Sequence, residues 1–226
     1  MIKEEKKVFK PNATTSLLVQ SSLKNIRKKS DILDLGCGTG YVGLTIAKNT
    51  KIKNNYFFSD LSKKAINLCK TNAKKNGIKI QAKTGNMFEP WADKRFDLII
   101  ESISAIAKKV AIISPWYRNG IPCDCGEDGT DLVNEVLKVT KNHLKKNGKL
   151  IFPIVTLSNK QKILRTANKN FKNVKLLVSK DWPLPKSMYS KKNVLEKLKK
   201  KGVVSYKTKY GLILYSSEIY LSLIHI

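Results

Sequence analysis

The sequence predicts an α/β protein built on a doubly wound, mostly parallel seven-stranded sheet with an antiparallel strand at its edge. Three observations lead there. Short apolar runs alternate with helical segments along most of the chain, which demands crossover connections and therefore parallel pairing. The first run passes straight into Asp34-Leu35-Gly36-Cys37-Gly38-Thr39-Gly40 and then a helix, a turn in which backbone comes close to a ligand at a helix N-terminus. After Val178 the alternation breaks, which puts the antiparallel part at the C-terminal end.

The elements follow in order. Val8-Phe9-Lys10-Pro11-Asn12 reads as an extended lead-in, and Leu17, Leu18, Leu23 and Ile26 stand near helical spacing in a helix from about Thr14 to Arg27. Ile32 to Leu35 is a short buried strand, and Tyr41 to Lys48 the helix after the glycines. Asn55 to Asp60 is the second strand, Ser62 to Asn76 a helix stopped by Gly77, and Ile78 to Ala82 an alternating third strand. Phe96 to Ile100 is the fourth. A long helical stretch from Asp128 to Lys146 ends at Asn147-Gly148, and Lys149 to Val155 is the fifth strand. A helix near Lys160 to Asn170 and a sixth strand, Val174 to Val178, complete the alternation. Trp182-Pro183-Leu184-Pro185 then opens a basic insertion, residues 182–209, with a helix over Lys191 to Lys201. Tyr210 to Leu223 reads as a strand or hairpin at the sheet edge. The expected organisation is a lead-in and helix over 1–30 packed on a main domain over 31–226.

Composition narrows the function classes. No apolar stretch is long enough to cross a bilayer, and the charged start Met1 to Lys7 is unlike a signal peptide. Cys37, Cys69, Cys123 and Cys125 lack metal-site spacing and read as reduced thiols of a cytoplasmic protein, with no membrane partner. His143 and His225 receive no role. The net charge is +27, and 40 of the 44 basic residues are Lys, a skew that resembles an AT-rich genome's imprint. That bias leaves the shortage of acids unexplained. From Ile151 onward 16 basic residues face only Asp181, Glu196 and Glu218, an excess that would draw the chain towards polyanions such as RNA or the ribosome. A solvated basic surface is the other reading.

Two cofactors use such a glycine loop. Gly38-Thr39-Gly40-Tyr41-Val42-Gly43 satisfies the dinucleotide pattern G-x-G-x-x-G, with Asp60 where a ribose-binding acid belongs. Charge separates the two. A dinucleotide brings an anionic pyrophosphate, which Asp34 would oppose. S-adenosylmethionine brings an ammonium and a sulfonium, and opposite charges about 4 Å apart are worth several kcal/mol at an effective dielectric near 20.

The same loop resembles, residue for residue, the first motif (D-L-G-C-G-T-G) of class I S-adenosylmethionine-dependent methyltransferases, whose Rossmann-like sheet matches the expected fold. The resemblance implies a donor site of Asp34, Gly36, Cys37, Gly38 and Gly40, with Asp60 on the ribose hydroxyls and Leu61 beside it. Gly85-Asn86-Met87-Phe88 is similar to the family's G-D-x-F, with Asn86 in place of Asp, so that Asn86 would bond the adenine amino group and Met87 would pack on the ring. An Asx turn is the structural alternative for Asn86.

Three further segments resemble the HemK-type subgroup, which includes the release-factor glutamine methyltransferases: Phe9-x-Pro11-x-x-x-Thr15, Glu89-Pro90-Trp91 and Gly126-Glu127-Asp128-Gly129. The subgroup's N/D-P-P-Y, which holds an amide nitrogen in line with the methyl, is missing. Its nearest counterpart, Ser114-Pro115-Trp116-Tyr117, lies well beyond the fourth strand. The residues that do follow that strand are Glu101-Ser102-Ile103-Ser104. Either an inserted helix returns Ser114–Tyr117 to the site, or the site is built differently. Trp116 and Tyr117 would then stack a flat substrate or serve as ordinary packing residues, and Glu101 would be a general base or amine ligand, or a helix-cap neighbour. The resemblance implies N-methylation of a translation-related protein or RNA. A small-molecule methyltransferase and a non-catalytic binding module on the same fold are the rivals. Oligomeric state is not legible.

Overall fold

In the computed structural model the described residues are 8–50, 53–103, 105–117, 123 and 125–223. The Met1–Lys7 start, Ser104, Asp124 and His225 lie outside them. The elements are α1 (Ala13–Leu23), β1 (Asp31–Leu35), α2 (Tyr41–Asn49), β2 (Asn55–Asp60), α3 (Lys63–Lys75), β3 (Gln81–Thr84), β4 (Phe96–Glu101), α4 (Lys108–Ile113), α5 (Asp131–Val139), β5 (Leu144–Val155), α6 (Lys160–Asn170), β6 (Asn173–Pro183), α7 (Lys192–Lys200), β7 (Lys207–Lys209) and β8 (Leu212–Leu223).

The strands form one sheet in the order β3-β2-β1-β4-β5-β8-β6, and β7 pairs with β8. Pairings from β3 through β5 are parallel. The antiparallel component is β8, which runs against both β5 and β6. It sits one place in from the outermost strand, and Ser217–Leu223 is flanked by β5 and β6. The seven expected strands form the main path, and the short β7 adds an eighth.

Alternation along the buried strands sorts side chains to two helix layers. Ile32, Phe58, Leu98 and Ile100 pack with α1, α2 and α3, while Leu33, Leu35, Phe57 and Ile99 pack with α5 and α6. A third apolar cluster joins α4, α7 and Tyr215 around Leu184, Met188, Leu195 and Leu198.

Several expected boundaries move: the first helix ends at Leu23, and the others shift for local reasons. The helix from Asp128 ends at Val139, where a short 3₁₀ turn follows and the Thr140 hydroxyl bonds the Val136 carbonyl. Leu144 then already pairs with Phe96, and Asn147-Gly148 lies inside β5 as a bulge, with Asn147 at φ 62°. A Cβ at Gly148 would stand 2.9 Å from the Phe96 carbonyl oxygen, so the strand pair closes on a glycine there. β3 starts at Gln81, because Ile78 and Ile80 pack onto the core ahead of the ladder. β6 runs on through Trp182 and Pro183, which pair with Tyr215 and Leu214, and an outermost strand tolerates that proline. The basic insertion therefore begins at Leu184.

Candidate active site

Strand order reverses between β1 and β4, whose carboxyl ends meet where Leu35 pairs with Glu101. Such a switch point is where open α/β sheets leave a crevice. Here it opens into a single cavity of about 490 Å³ that runs from the glycine loop to Tyr215.

At one end the loop is held by its own hydrogen bonds. The Gly36 and Cys37 N–H groups donate to the Ser59 carbonyl, and Gly40 N–H to that of Cys37. Gly38 N–H donates to Asp60 Oδ2 at 2.9 Å, and Ser62 N–H to Oδ1 at 2.8 Å. The N–H groups of Gly36, Cys37, Gly38 and Gly40 are thus already satisfied inside the protein. Gly36, Gly38 and Gly40 all take positive φ, a region glycine enters without a Cβ penalty. A Cβ at Gly36 would lie 2.6 Å from Ile103 Cγ1, whereas one at Gly38 would meet only Val8 Cγ1, at 4.0 Å, and would intrude on the cavity.

The predicted donor residues separate into two groups. Gly36, Cys37, Gly38, Asp60, Leu61, Asn86 and Met87 line the cavity. Asp34 and Gly40 do not. Asp34 shares a strand face with Ile32, so it points under α2, where Oδ2 accepts from Gly43 N–H at 2.8 Å and Oδ1 from the Ser102 hydroxyl at 2.9 Å. Its expected place beside a cationic ligand is therefore corrected: it ties the glycine loop to the end of β4 from behind. Burial lifts its pKa to about 6 against those two hydrogen bonds. Gly40 is the left-handed N-cap of α2, where a Cβ would stand 2.6 Å from Cys69 Sγ. The carboxylate that does line the cavity is Asp60, whose pKa burial raises against the Ser62 and Gly38 N–H bonds.

Asn86 and Met87 are presented by a turn that the Glu89-Pro90-Trp91 segment braces. Glu89 Oε2 accepts from Asn86 N–H, Pro90 covers Gly85, and Trp91 is buried against Phe57 and Phe96. Across the cavity the lead-in closes over the loop. Asn12 and Thr15 form a reciprocal capping box that starts α1 and holds Phe9 and Pro11 against the cavity.

At the other end the inserted helix α4 does return the late segment to the site, but only its aromatics arrive. Trp116 and Tyr117 line the cavity, with Trp116 5.6 Å from the Tyr215 ring and Tyr117 5.5 Å from that of Phe9. Ser114 and Pro115 are not among the lining residues. Ser114 is buried as the C-cap of α4, its hydroxyl donating to the Ala111 carbonyl, so it is turned away from any acceptor.

Glu101 is likewise displaced from its expected role at the ligand edge. It is fully buried on the strand face opposite Asp34, outside the cavity lining. Oε1 accepts from Ile103 N–H at 2.7 Å, while Oε2 has no hydrogen-bond partner among the described residues. Burial pushes its pKa to about 8, so it is largely protonated at neutral pH. Gly126–Gly129 packs its backbone on Ile106 and Ala107, where a Cβ at Gly129 would stand 2.5 Å from the Ala107 nitrogen.

Sequence reasoning missed several cavity residues, among them Ser102, Cys123 and Tyr215. Ser102 directly follows Glu101, and Cys123 approaches Cys125 at 3.8 Å between sulfurs. Position after a parallel strand was the available signal for the first, and the Cys-x-Cys spacing for the second. Among the described residues no His/Cys/Asp/Glu group fits a metal, and no helix is long and apolar enough to cross a membrane.

Residues 4–102 match the family model of the methyltransferase small domain. Over those residues the chain is similar to that domain. A release factor glutamine methyltransferase of Geobacter sulfurreducens is 28% identical over 148 residues, 64% of this chain and 52% of that protein. A putative protein N5-glutamine methyltransferase of Methanocaldococcus jannaschii is 29% identical over 147 residues, 65% of this chain and 72% of that protein. The chain spans about half the length of the bacterial release factor enzymes it matches. Among solved structures, a T. thermophilus 16S rRNA N2 methyltransferase in complex with AdoMet and guanosine superposes with a TM-score of 0.59 at 13% identity, over 96% of this chain and 44% of that one. The fold is that of the class I methyltransferases, and the match to the small-domain model ends just past β4.

Proposed function

We propose that this chain transfers a methyl group from S-adenosylmethionine to a nitrogen of a translation-related macromolecule. The observation that carries the donor is the charge of the cavity. In a chain of net charge +27, the lining contains the Asp60 carboxylate and no Lys or Arg among the described residues. That charge favours a cation-bearing ligand over a pyrophosphate. The residues fit the group: Gly38 leaves the space a Cβ would fill, Asp60 keeps lone pairs for ribose hydroxyls, and Leu61, Asn86 and Met87 form an adenine-sized wall. When bound, S-adenosylmethionine supplies an electrophilic methyl on a sulfonium. Phe9, Trp116 and Tyr117 position a flat acceptor and exclude water. The relatives' activity on release factors, and a structural neighbour's on rRNA, support a translation-related acceptor.

Titration calorimetry tests the donor. S-adenosylmethionine should give saturable heat while NAD gives none, and Asp60→Ala should weaken the binding by about 10–100-fold, the worth of one or two hydrogen bonds to a charged group. Heat with NAD alone would sink the reading.

A further inference from the structure

Resting on that donor reading, we infer that the acceptor is a base of a single-stranded nucleic acid, whose phosphates lie along a lysine ridge on α7 and its flanks. Two features meet at the acceptor end. The first is the slot itself. An amide acceptor needs hydrogen-bonding groups that hold its nitrogen, yet the position after β4 carries Ser102, whose hydroxyl is committed to Asp34, and then aliphatic Ile103. What the slot offers instead are the rings of Trp116, Tyr117 and Tyr215. Aromatic faces hold a planar base by stacking, whatever its sequence.

The second feature is the wall behind that slot. Trp116 and Tyr215 belong to the apolar cluster formed by Leu184, Met188, Leu195 and Leu198 of the insertion. These residues turn inward, so the rest of the insertion faces solvent. Leu184–Lys209 holds nine Lys and one acid, Glu196; Glu196 is paired with Lys192 at 3.1 Å, and Lys207 with Asp181 of β6 at 3.4 Å. Lys197, Lys200 and Lys201 are exposed and share one side of α7 at i, i+3 and i+4. Exposed Lys108 and Lys109 extend the positive surface on α4, the helix that delivers Trp116. The α7 dipole accounts for cations in its last turn, but not for Lys186 and Lys191 before it. Cations are absent from the described cavity lining and stand on the wall outside it.

The chemistry then balances simply. An exocyclic amino nitrogen of the base gives its lone pair to the methyl carbon as the carbon–sulfur bond breaks. Sulfur keeps that pair as a neutral thioether, and the displaced N–H proton leaves to water.

The test uses the full chain, a labelled single-stranded oligoribonucleotide and the oligodeoxyribonucleotide of the same sequence. Affinity should fall with salt at about −0.7 in log–log slope per phosphate neutralised, and K197Q/K200Q/K201Q should flatten that slope by about 2. The same variant should bind S-adenosylmethionine like the parent, since none of the three residues lines the cavity. Tritium from the labelled donor, supplied with cell extract, should enter nuclease-sensitive material, and the two oligomers separate RNA from DNA. Label in protease-sensitive material, or a salt slope unchanged by the triple variant, would overturn the proposal while leaving the donor reading intact. Loss of donor binding in the parent would instead overturn the reading beneath it.

Discussion

The two ends of the cavity are built by opposite rules. The donor end comes from three short segments that follow adjacent parallel strands: Gly36–Gly40 after β1, Asp60–Ser62 after β2 and Gly85–Met87 after β3. Each is fixed by backbone hydrogen bonds over a few residues. The acceptor end is assembled from Phe9, Trp116, Tyr117, Cys123 and Tyr215, which meet only because α4, the insertion and β8 fold together. The small-domain match stops at residue 102, at the border between the two. A donor end made of local turns survives as a motif. An acceptor end made of tertiary packing is free to change with the substrate.

The largest expected effect probes the join between the ends. Asp34→Leu strands a buried Gly43 N–H and the Ser102 hydroxyl, and should cost about 2–5 kcal/mol in urea unfolding, at about 1–3 kcal/mol per orphaned group. Ser114→Ala, at the acceptor end, removes one terminal hydroxyl bond and should cost about 0.5–1.5 kcal/mol. Equal losses would mean that the donor loop is no more tightly held than the acceptor wall.

Glu101 lies under the acceptor side and gives a pH test. Burial raises its folded pKa from 4.5 to about 8. A raised folded pKa means that its stabilising contribution is full below about 4.5 and is lost as pH rises through about 8. Glu101→Gln keeps the shape and cannot ionise, so relative to the parent it should gain a few kcal/mol between about pH 6 and pH 9. Urea midpoints of both proteins across that range measure it. A difference that stays constant with pH would show that Glu101 is not buried as an acid.

How much of this was legible follows the same division. The β2 and α6 bounds and the glycine loop were readable because periodicity and turn chemistry act over a few residues. Asp34 was misplaced although the signal existed: it alternates with Ile32 and so faces α2, not the crevice. The fates of Ser114 and Trp116 were not readable, since both depend on where α4 ends against the insertion. Nor was the position of β8 between β5 and β6, because pairing partners of an antiparallel strand leave no mark in its own pattern.

A pair of variants separates the ends functionally. Trp116→Ala should leave the donor affinity within about twofold while lowering methyl transfer by about tenfold or more, the value of one stacked base. Asp60→Ala should do the reverse, weakening donor binding first. Calorimetry and tritium transfer on both proteins give the comparison. Trp116→Phe should recover most of the transfer if stacking, rather than the indole N–H, is what matters. Parallel losses in both variants would merge the two ends into one site.

The smallest effect belongs to the far side of the sheet, at the amino ends of the strands. There Lys145 Nζ bridges Asp31 and Asp97 at 2.8 Å each, and Lys94 reaches Asp31 at 3.4 Å. Burial works to raise the Asp31 pKa, but the hydrogen bonds from Lys145 and Asn55 outweigh it and hold the carboxyl below its usual range. A lowered folded pKa means that the stabilisation is present above the unfolded value near 3.8 and is lost as pH falls through the folded one. Because the lysines are partly exposed, Asp31→Asn should cost only about 0.5–1 kcal/mol at neutral pH, less at high salt, and progressively less as pH falls through the folded pKa. Donor affinity should not change, because this cluster and the glycine loop stand at opposite ends of β1 and Asp31 lines no part of the cavity. A coupled loss of donor binding would show that the loop is held from the whole length of β1, and not from its carboxyl end alone.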